Sequence, residues 1–176
     1  MARTIRTKVF KFNELSTEAK QKAIDSVRYS QSDDISFAWE DMQSDAEEIG
    51  LKLISLDDHR PNKGEFIEDA NSCANSIIEN HGNSCETYKT AASFLGDWTK
   101  LVVKYSDGIK TNKVAEGNGD KFDREADDLE AAFLQAILED YRILYNNQIE
   151  YENSDEYITE TAISNEYEFL QDGTKF

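Results

Sequence analysis

Cations are missing from the last fifth of this chain: no Lys, Arg or His lies between Arg142 and Lys175. Other residue types are scarce throughout, with one Pro, two Cys and two His in 176 residues. A single proline leaves long helices free to form, because few backbone N–H groups are removed. Two cysteines, Cys73 and Cys85, cannot build a disulfide framework, and Cys73 falls on an apolar helical stripe where a thiol acts as a small core residue. No apolar run approaches the ~20 residues that a membrane helix needs. Met1–Phe12 is basic but lacks the apolar core and cleavage site of a secretory signal. These absences predict a soluble, cytoplasmic, helix-rich protein.

Neither histidine has a convincing catalytic partner. His59 sits in Asp57-Asp58-His59-Arg60, and adjacent residues in a turn rarely converge on one metal ion. His81 falls in the last turn of an expected helix, where a donor relieves free carbonyls. No strand-to-helix nucleophile elbow, phosphate-binding glycine loop or zinc spacing occurs. Gly117-Asn118-Gly119 is too short for a phosphate loop, and Asp107–Glu116 lacks the acidic ladder of a calcium loop. The expectation is a protein that is not an enzyme, without cofactor or metal.

What the chain has in excess is carboxylate, thirty-six against nineteen Lys and Arg, for a net charge of -17. Residues 1–30 carry seven basic and three acidic residues, whereas 31–176 carry twelve basic and thirty-three acidic. In the cation-free stretch stand Glu150, Glu152, Asp155, Glu156, Glu160, Glu166, Glu168 and Asp172. Tyr145, Ile149, Tyr151, Tyr157, Ile158, Ile163, Tyr167 and Phe169 are interleaved with them, so the stretch can pack and is not a disordered tail. Such a field repels nucleic acid and anionic membranes and draws in basic clefts.

Periodicity supplies the elements. Lys8–Phe12 alternates as a strand. Ser16 caps a helix to about Tyr29, with Ala19, Ala23, Ile24 and Val27 inward. A second helix from Asp34 to Ile49 ends at Gly50, with Ile35, Trp39, Met42, Ala46 and Ile49 on one face. A strand 51–56 returns near Glu65–Ile67, and a helix follows through Ala70, Cys73, Ala74, Ile77 and Ile78. Ser84 is the expected cap of the next helix, its stripe Tyr88, Ala91, Ala92, Leu95, Trp98 and Val102. Gly96, inside that helix, predicts a close packing contact. A mobile loop is expected at 106–120, then a long helix 122–148 with Phe122, Ala126, Leu129, Phe133, Ile137, Tyr141 and Leu144 inward, a short helix 155–163 and a last strand. Without βαβ alternation this predicts one α+β domain over 1–176, its helices packed on a small, mostly antiparallel sheet.

Candidate contact residues follow from the charge. On the second helix Asp34, Asp41, Asp45 and Glu48 recur at steps of seven, four and three, opposite the apolar stripe. Four helical residues rise ~6 Å, near the spacing of phosphates along a DNA strand. The long helix adds Asp123, Asp127 and Glu130, with Glu139 and Asp140 further along, and the cation-free stretch adds Glu152, Asp155 and Glu156. Such rows would imitate a phosphate backbone for a basic nucleic-acid-binding protein, with no binding to free nucleic acid.

Val9-Phe10-Lys11-Phe12-Asn13-Glu14-Leu15-Ser16-Thr17-Glu18-Ala19-Lys20-Gln21-Lys22-Ala23-Ile24 resembles the opening of a family of small, largely uncharacterised tailed-bacteriophage proteins. The segment from Gln148 through Asn165-Glu166-Tyr167-Glu168-Phe169-Leu170-Gln171-Asp172-Gly173 to Phe176 is similar to that family's close. Where relatives carry a glycine- and tryptophan-rich strand pair, this chain has His59-Arg60-Pro61-Asn62-Lys63-Gly64-Glu65-Phe66-Ile67. The resemblance transfers no catalytic residue. It implies a phage origin, and among small acidic phage proteins it implies inhibition of host defence, with anti-CRISPR proteins as the leading class and an effector such as Cas9 as the target. The alternatives are a general phage interaction or regulatory protein, antitoxin-like or polymerase-binding, or an enzyme using clustered carboxylates and a divalent cation.

Overall fold

The computed structural model describes residues 6–31, 35–106 and 119–176. The class is α+β, and the chain forms two compact units, Met1–Trp39 with Asn146–Phe176, and Glu40–Tyr145. The described strands lie in two separate antiparallel pairs rather than one sheet.

The first unit joins the two ends of the chain. Strand β1 (Phe10–Lys11) pairs with β4 (Glu168–Phe169), Phe10 opposite Phe169 and Lys11 opposite Glu168. The expected strand is short because the chain turns at Phe12–Glu14 into one 3-10 turn, whose start is closed by the Lys11 N–H donating to the Glu14 carboxylate at 2.8 Å. Helix α1 (Thr17–Gln31) follows, with the Ser16 hydroxyl accepting the Ala19 N–H at 3.3 Å. Its stripe Ala19, Ala23, Ile24 and Val27 is buried as expected, against Ile158 and Ala162 of α6 (Asp155–Ser164), with Phe12 and Phe169 closing the core. Small alanines on both helices let the backbones approach closely.

The second unit surrounds a hairpin. Helix α2 (Ile35–Glu48) ends at Gly50, whose φ of +79° is the left-handed stop the sequence predicts. Strand β2 (Leu51–Ser55) then pairs with β3 (Lys63–Phe66). Leu51 and Leu53 point inward, while Lys52 and Glu65 form a 2.7 Å cross-strand ion pair outside. Helix α3 (Ala70–Asn80) is capped by Asp69, which accepts the Ser72 N–H at 2.8 Å, and it packs on α4 (Glu86–Tyr105).

Three sequence expectations change in α4. Cys85, not Ser84, is the N-cap residue. The fully buried face is Thr87, Ala91, Phe94, Leu101 and Tyr105; of the expected stripe only Ala91 lies on it, Tyr88, Leu95, Trp98 and Val102 are half-buried, and Ala92 is exposed. Phe94 decides this rotation by stacking on Phe133 of α5 (Gly119–Glu152), with ring centroids 4.3 Å apart. Gly96 packs against nothing, since a Cβ there would meet no atom within 4 Å. Residues 107–118 of the expected loop lie outside the described residues, and α5 starts at Gly119, three residues earlier than expected. Leu144, expected inward, is exposed.

Two glycines therefore carry opposite predictions. Gly173 sits at φ +88°, where a Cβ would stand 2.1 Å from the Ala19 carbonyl oxygen. Gly173→Ala should cost about 2–5 kcal/mol, combining left-handed strain with overpacking on α1. Gly96→Ala should instead stabilise by about 0.5–1 kcal/mol through helix propensity alone. Thermal and urea unfolding of both variants checks the pair, and a destabilised Gly96→Ala would mean that the position is not open.

Candidate functional site

Helix periodicity places Asp41, Asp45 and Glu48 along one face of α2, and all three are exposed; Asp34 lies outside the described residues. Asp45 also has an internal role. The hydroxyl of Tyr141, a wholly buried residue of α5, donates to Asp45 Oδ2 at 2.7 Å. Burial, with the Asp45 carboxylate second, holds that phenol well above its ordinary range. His81 Nε2 lies 3.9 Å from the same oxygen, and His81 Nδ1 is 2.7 Å from Thr87 Oγ1. The backbone N–H of His81 closes the end of α3 on the Ile77 carbonyl, so its capping role is present in the main chain. Thr87 is 2% exposed. A hydroxyl so enclosed serves packing between α3 and α4 and is not presented to a substrate.

His59 belongs to a closed turn in which its N–H and that of Arg60 both donate to Asp57 Oδ1, at 2.7 and 3.0 Å. Asp58 pairs with Arg142, whose guanidinium also holds Glu139 at 2.6 Å. That clamp holds the Glu139 carboxyl below the usual carboxylate range. Cys73 is buried and its thiol is pushed up to about 12 by desolvation. Among the described residues no three His, Cys, Asp or Glu side chains are arranged to hold a metal ion.

On α5, Asp123 and Asp127 are exposed, but Glu130 lies on the helix's inner flank and is partly buried. Burial, then Asp127, then Asp69 push its carboxyl above the ordinary range. Asp69, which the sequence reading did not single out, is therefore the third member of a carboxylate group; an Asp directly before the apolar stripe of α3 was its one sequence signal. Asp140 is likewise pushed up by burial, partly offset by the Thr90 hydroxyl at 2.6 Å. Beside it, the α4–α5 groove of about 400 Å³ has the stacked Phe94 and Phe133 among its lining, with Lys89 and Asp97.

In the first unit, the basic N-terminal segment neutralises half of the cation-free stretch. Lys11 lies 3.7 Å from Glu168 and 3.9 Å from Glu166, Lys22 pairs with Asp172, and Arg28 pairs with Asp155. Lys22, and then the Thr174 N–H, hold the Asp172 carboxyl down to about 2. Of the three candidates from this stretch, Asp155 is thus held by Arg28, Glu152 accepts the Gln148 amide at 2.6 Å, and Glu156 is exposed. Of the ten candidates, Asp41, Asp45, Glu48, Asp123, Asp127 and Glu130 belong to the second unit, and Glu152, Asp155 and Glu156 to the first.

No protein-family model matches the chain, and no curated protein or solved structure matches it significantly. Among the described residues no helix is long and apolar enough to cross a membrane.

The carboxylate group on α5 makes a pH-dependent prediction. Glu130 has a folded value raised above its unfolded one, so its favourable contribution is complete below the unfolded value of about 4.3 and lost as pH rises through the folded value. At pH 7 the ionised group opposes Asp127 one turn away. Glu130→Gln should then raise stability at pH 7 by about 0.5 kcal/mol, the scale of a like-charge helix pair. The gain should vanish near pH 4. Urea melts at the two pH values check this, and a loss of stability at pH 7 would mean that the Glu130 charge is compensated.

Proposed function

We propose that this protein is a phage-type anti-defence inhibitor that engages a basic nucleic-acid-handling protein of a bacterial host through its carboxylate surfaces. A CRISPR effector such as Cas9 is the leading target, and inhibition is by occupation: carboxylates meet the arginines and lysines that otherwise hold phosphate. The phage and anti-CRISPR part of this reading rests on the resemblance of Val9–Ile24 and of the Gln148–Phe176 segment. The electrostatic part rests on the molecule's own charges.

One observation carries it. Burial, and then the charges of Asp127 and Asp69, push the Glu130 carboxyl up, yet no ion pair to any of the three occurs among the described residues. The same helix places Glu125 on Lys104 at 2.7 Å and Glu139 on Arg142 at 2.6 Å, so cations are supplied to its neighbours. Retained repulsion of this kind lowers stability, and a cationic partner relieves it on binding. A catalytic reading gains no comparable support, because Thr87 and Cys73 are enclosed and His59 is held in a turn.

The test is a DNA-cleavage assay with a guide-loaded Cas9. Inhibition should titrate near one equivalent, weaken between 0.05 and 0.3 M salt as charges are screened within a ~10 Å Debye length, and be relieved by excess target DNA. Asp123→Lys/Asp127→Lys should weaken inhibition at least about tenfold, the scale of a lost charge-pair set, while His59→Ala leaves it intact. No inhibition of any effector, with capture instead of a host polymerase or a toxin from lysate, would move the protein to the regulatory class. Full activity of the folded double reversal would reduce its acidity to a solubility device.

A further inference from the structure

The cation-free stretch does not display its eight carboxylates evenly. Four of them, Asp155, Glu166, Glu168 and Asp172, face Arg28, Lys11 and Lys22. The other four, Glu150, Glu152, Glu156 and Glu160, form no ion pair among the described residues, and all of them flank the α5–α6 junction. Arg28, which reaches this junction, is already committed to Asp25 at 2.8 Å, to Asp155 and to the Asn153 carbonyl at 3.1 Å. Among the described residues no Lys or Arg forms an ion pair with any of the four glutamates.

At the same junction two aromatic rings meet. Tyr151, in the last turn of α5, is 50% exposed and stands edge-on to Tyr157 of α6, with centroids 5.2 Å apart and planes at 62°. Tyr157 is partly buried and packs on the first unit's core, so it fixes the pair in place. The Ser154 hydroxyl accepts the Tyr157 N–H at 3.2 Å, which caps the start of α6. Glu156 adjoins Tyr157, Glu160 is one turn further along the same side of α6, and Glu150 adjoins Tyr151. A half-exposed ring on a rigid mount, bordered by unpaired carboxylates, has the two features that hold a guanidinium: a π-face to stack on and acceptors for its N–H fork.

We propose that the α5–α6 junction is a docking surface for an arginine-rich segment of a protein partner, with Tyr151 as the exposed stacking ring and Glu150, Glu156 and Glu160 as the acceptors. The proposal deepens the inhibitor reading above and rests on it for the identity of the partner. Charge complementarity selects the occupant. Phosphates of a nucleic acid or an anionic membrane would meet only carboxylates, whereas an arginine segment meets both acceptor and ring. Lysine fits less well, because a compact ammonium has neither the planar stacking face nor the paired donors of arginine.

The experiment uses the full-length protein and fluorescent peptides of eight arginines or eight lysines, read by anisotropy at 0.15 M salt. The arginine peptide should bind about threefold to fivefold more tightly than the lysine peptide, the scale of one exposed cation–π contact. Tyr151→Ala should remove that preference, Tyr151→Phe should retain it, and Glu156→Gln/Glu160→Gln should weaken both peptides. Glu68→Gln/Glu79→Gln, exposed on the other unit and outside the candidate contact residues, should change neither. Equal binding of the two peptides by wild type, or an unchanged arginine preference in folded Tyr151→Ala, would overturn the docking surface. The inhibition assay separates the two readings: Tyr151-dependent arginine binding with no inhibition of any effector upholds the surface and removes the inhibitor reading. Full inhibition by Tyr151→Ala together with unchanged peptide binding removes the surface and leaves the inhibitor reading standing.

Discussion

Nineteen basic residues have to serve thirty-six acidic ones, and their placement governs the rest of this structure. In the first unit the cations are used where the chain ends must be joined. Lys22 faces Asp172 beside Gly173, and Gly173 lies against the backbone of α1 where a side chain has no room. Lys11 donates at 2.6 Å to the carbonyl of Glu166, which is itself held at a positive φ of 52°. Arg28 ties α1 to the turn between α5 and α6. Each is exposed or half-exposed and individually worth little. Together they cancel repulsion at the one place where an acidic C-terminal segment must lie on the N-terminal helix.

The same scarcity explains what is left uncompensated. Once the three cations sit at the clasp, the glutamates of the α5–α6 junction have no ion pair among the described residues of the first unit. In the second unit Lys104 and Arg142 each take a carboxylate of α5, while the Asp69–Asp127–Glu130 group is left to repel. A fold that needed only solubility could spread its negative charge evenly and avoid such groups. Here the surplus is concentrated beside a fixed aromatic pair in one unit and on a partly buried flank in the other.

Much of the local structure could be read from the sequence because the signals were themselves local. Ser16 and Gly50 act within one turn of their own backbone, and the alanine-rich stripe of α1 has no competing face. The rotation of α4 was not legible for the opposite reason. Tyr88, Ala92, Leu95 and Val102 make as regular a stripe as Thr87, Ala91, Phe94 and Leu101, and only the stack of Phe94 on Phe133 chooses between them. The cation partners of the C-terminal acids were hidden for the same reason. Asp172 is 150 residues from Lys22, and Asp155 is 127 from Arg28, so a window that counts only acids sees one uninterrupted face. Asp45 is a further case: it is exposed, as its helical position predicts, yet it also satisfies the hydroxyl of a buried tyrosine 96 residues away.

That double use of Asp45 shows which carboxylates are suited to recognition. A carboxylate that completes the core, as Asp45 does for Tyr141, or that anchors a clasp, as Asp172 does for Lys22, loses a native contact if it turns toward a partner. Its intramolecular bond must be broken or shared, and a buried donor left without an acceptor costs about 1–3 kcal/mol. Glu150, Glu156 and Glu160 have no such contact among the described residues, so an incoming guanidinium competes only with water. The residues best placed to bind are therefore those that the fold does not use, and at the α5–α6 junction they stand beside a ring already held in position by the core.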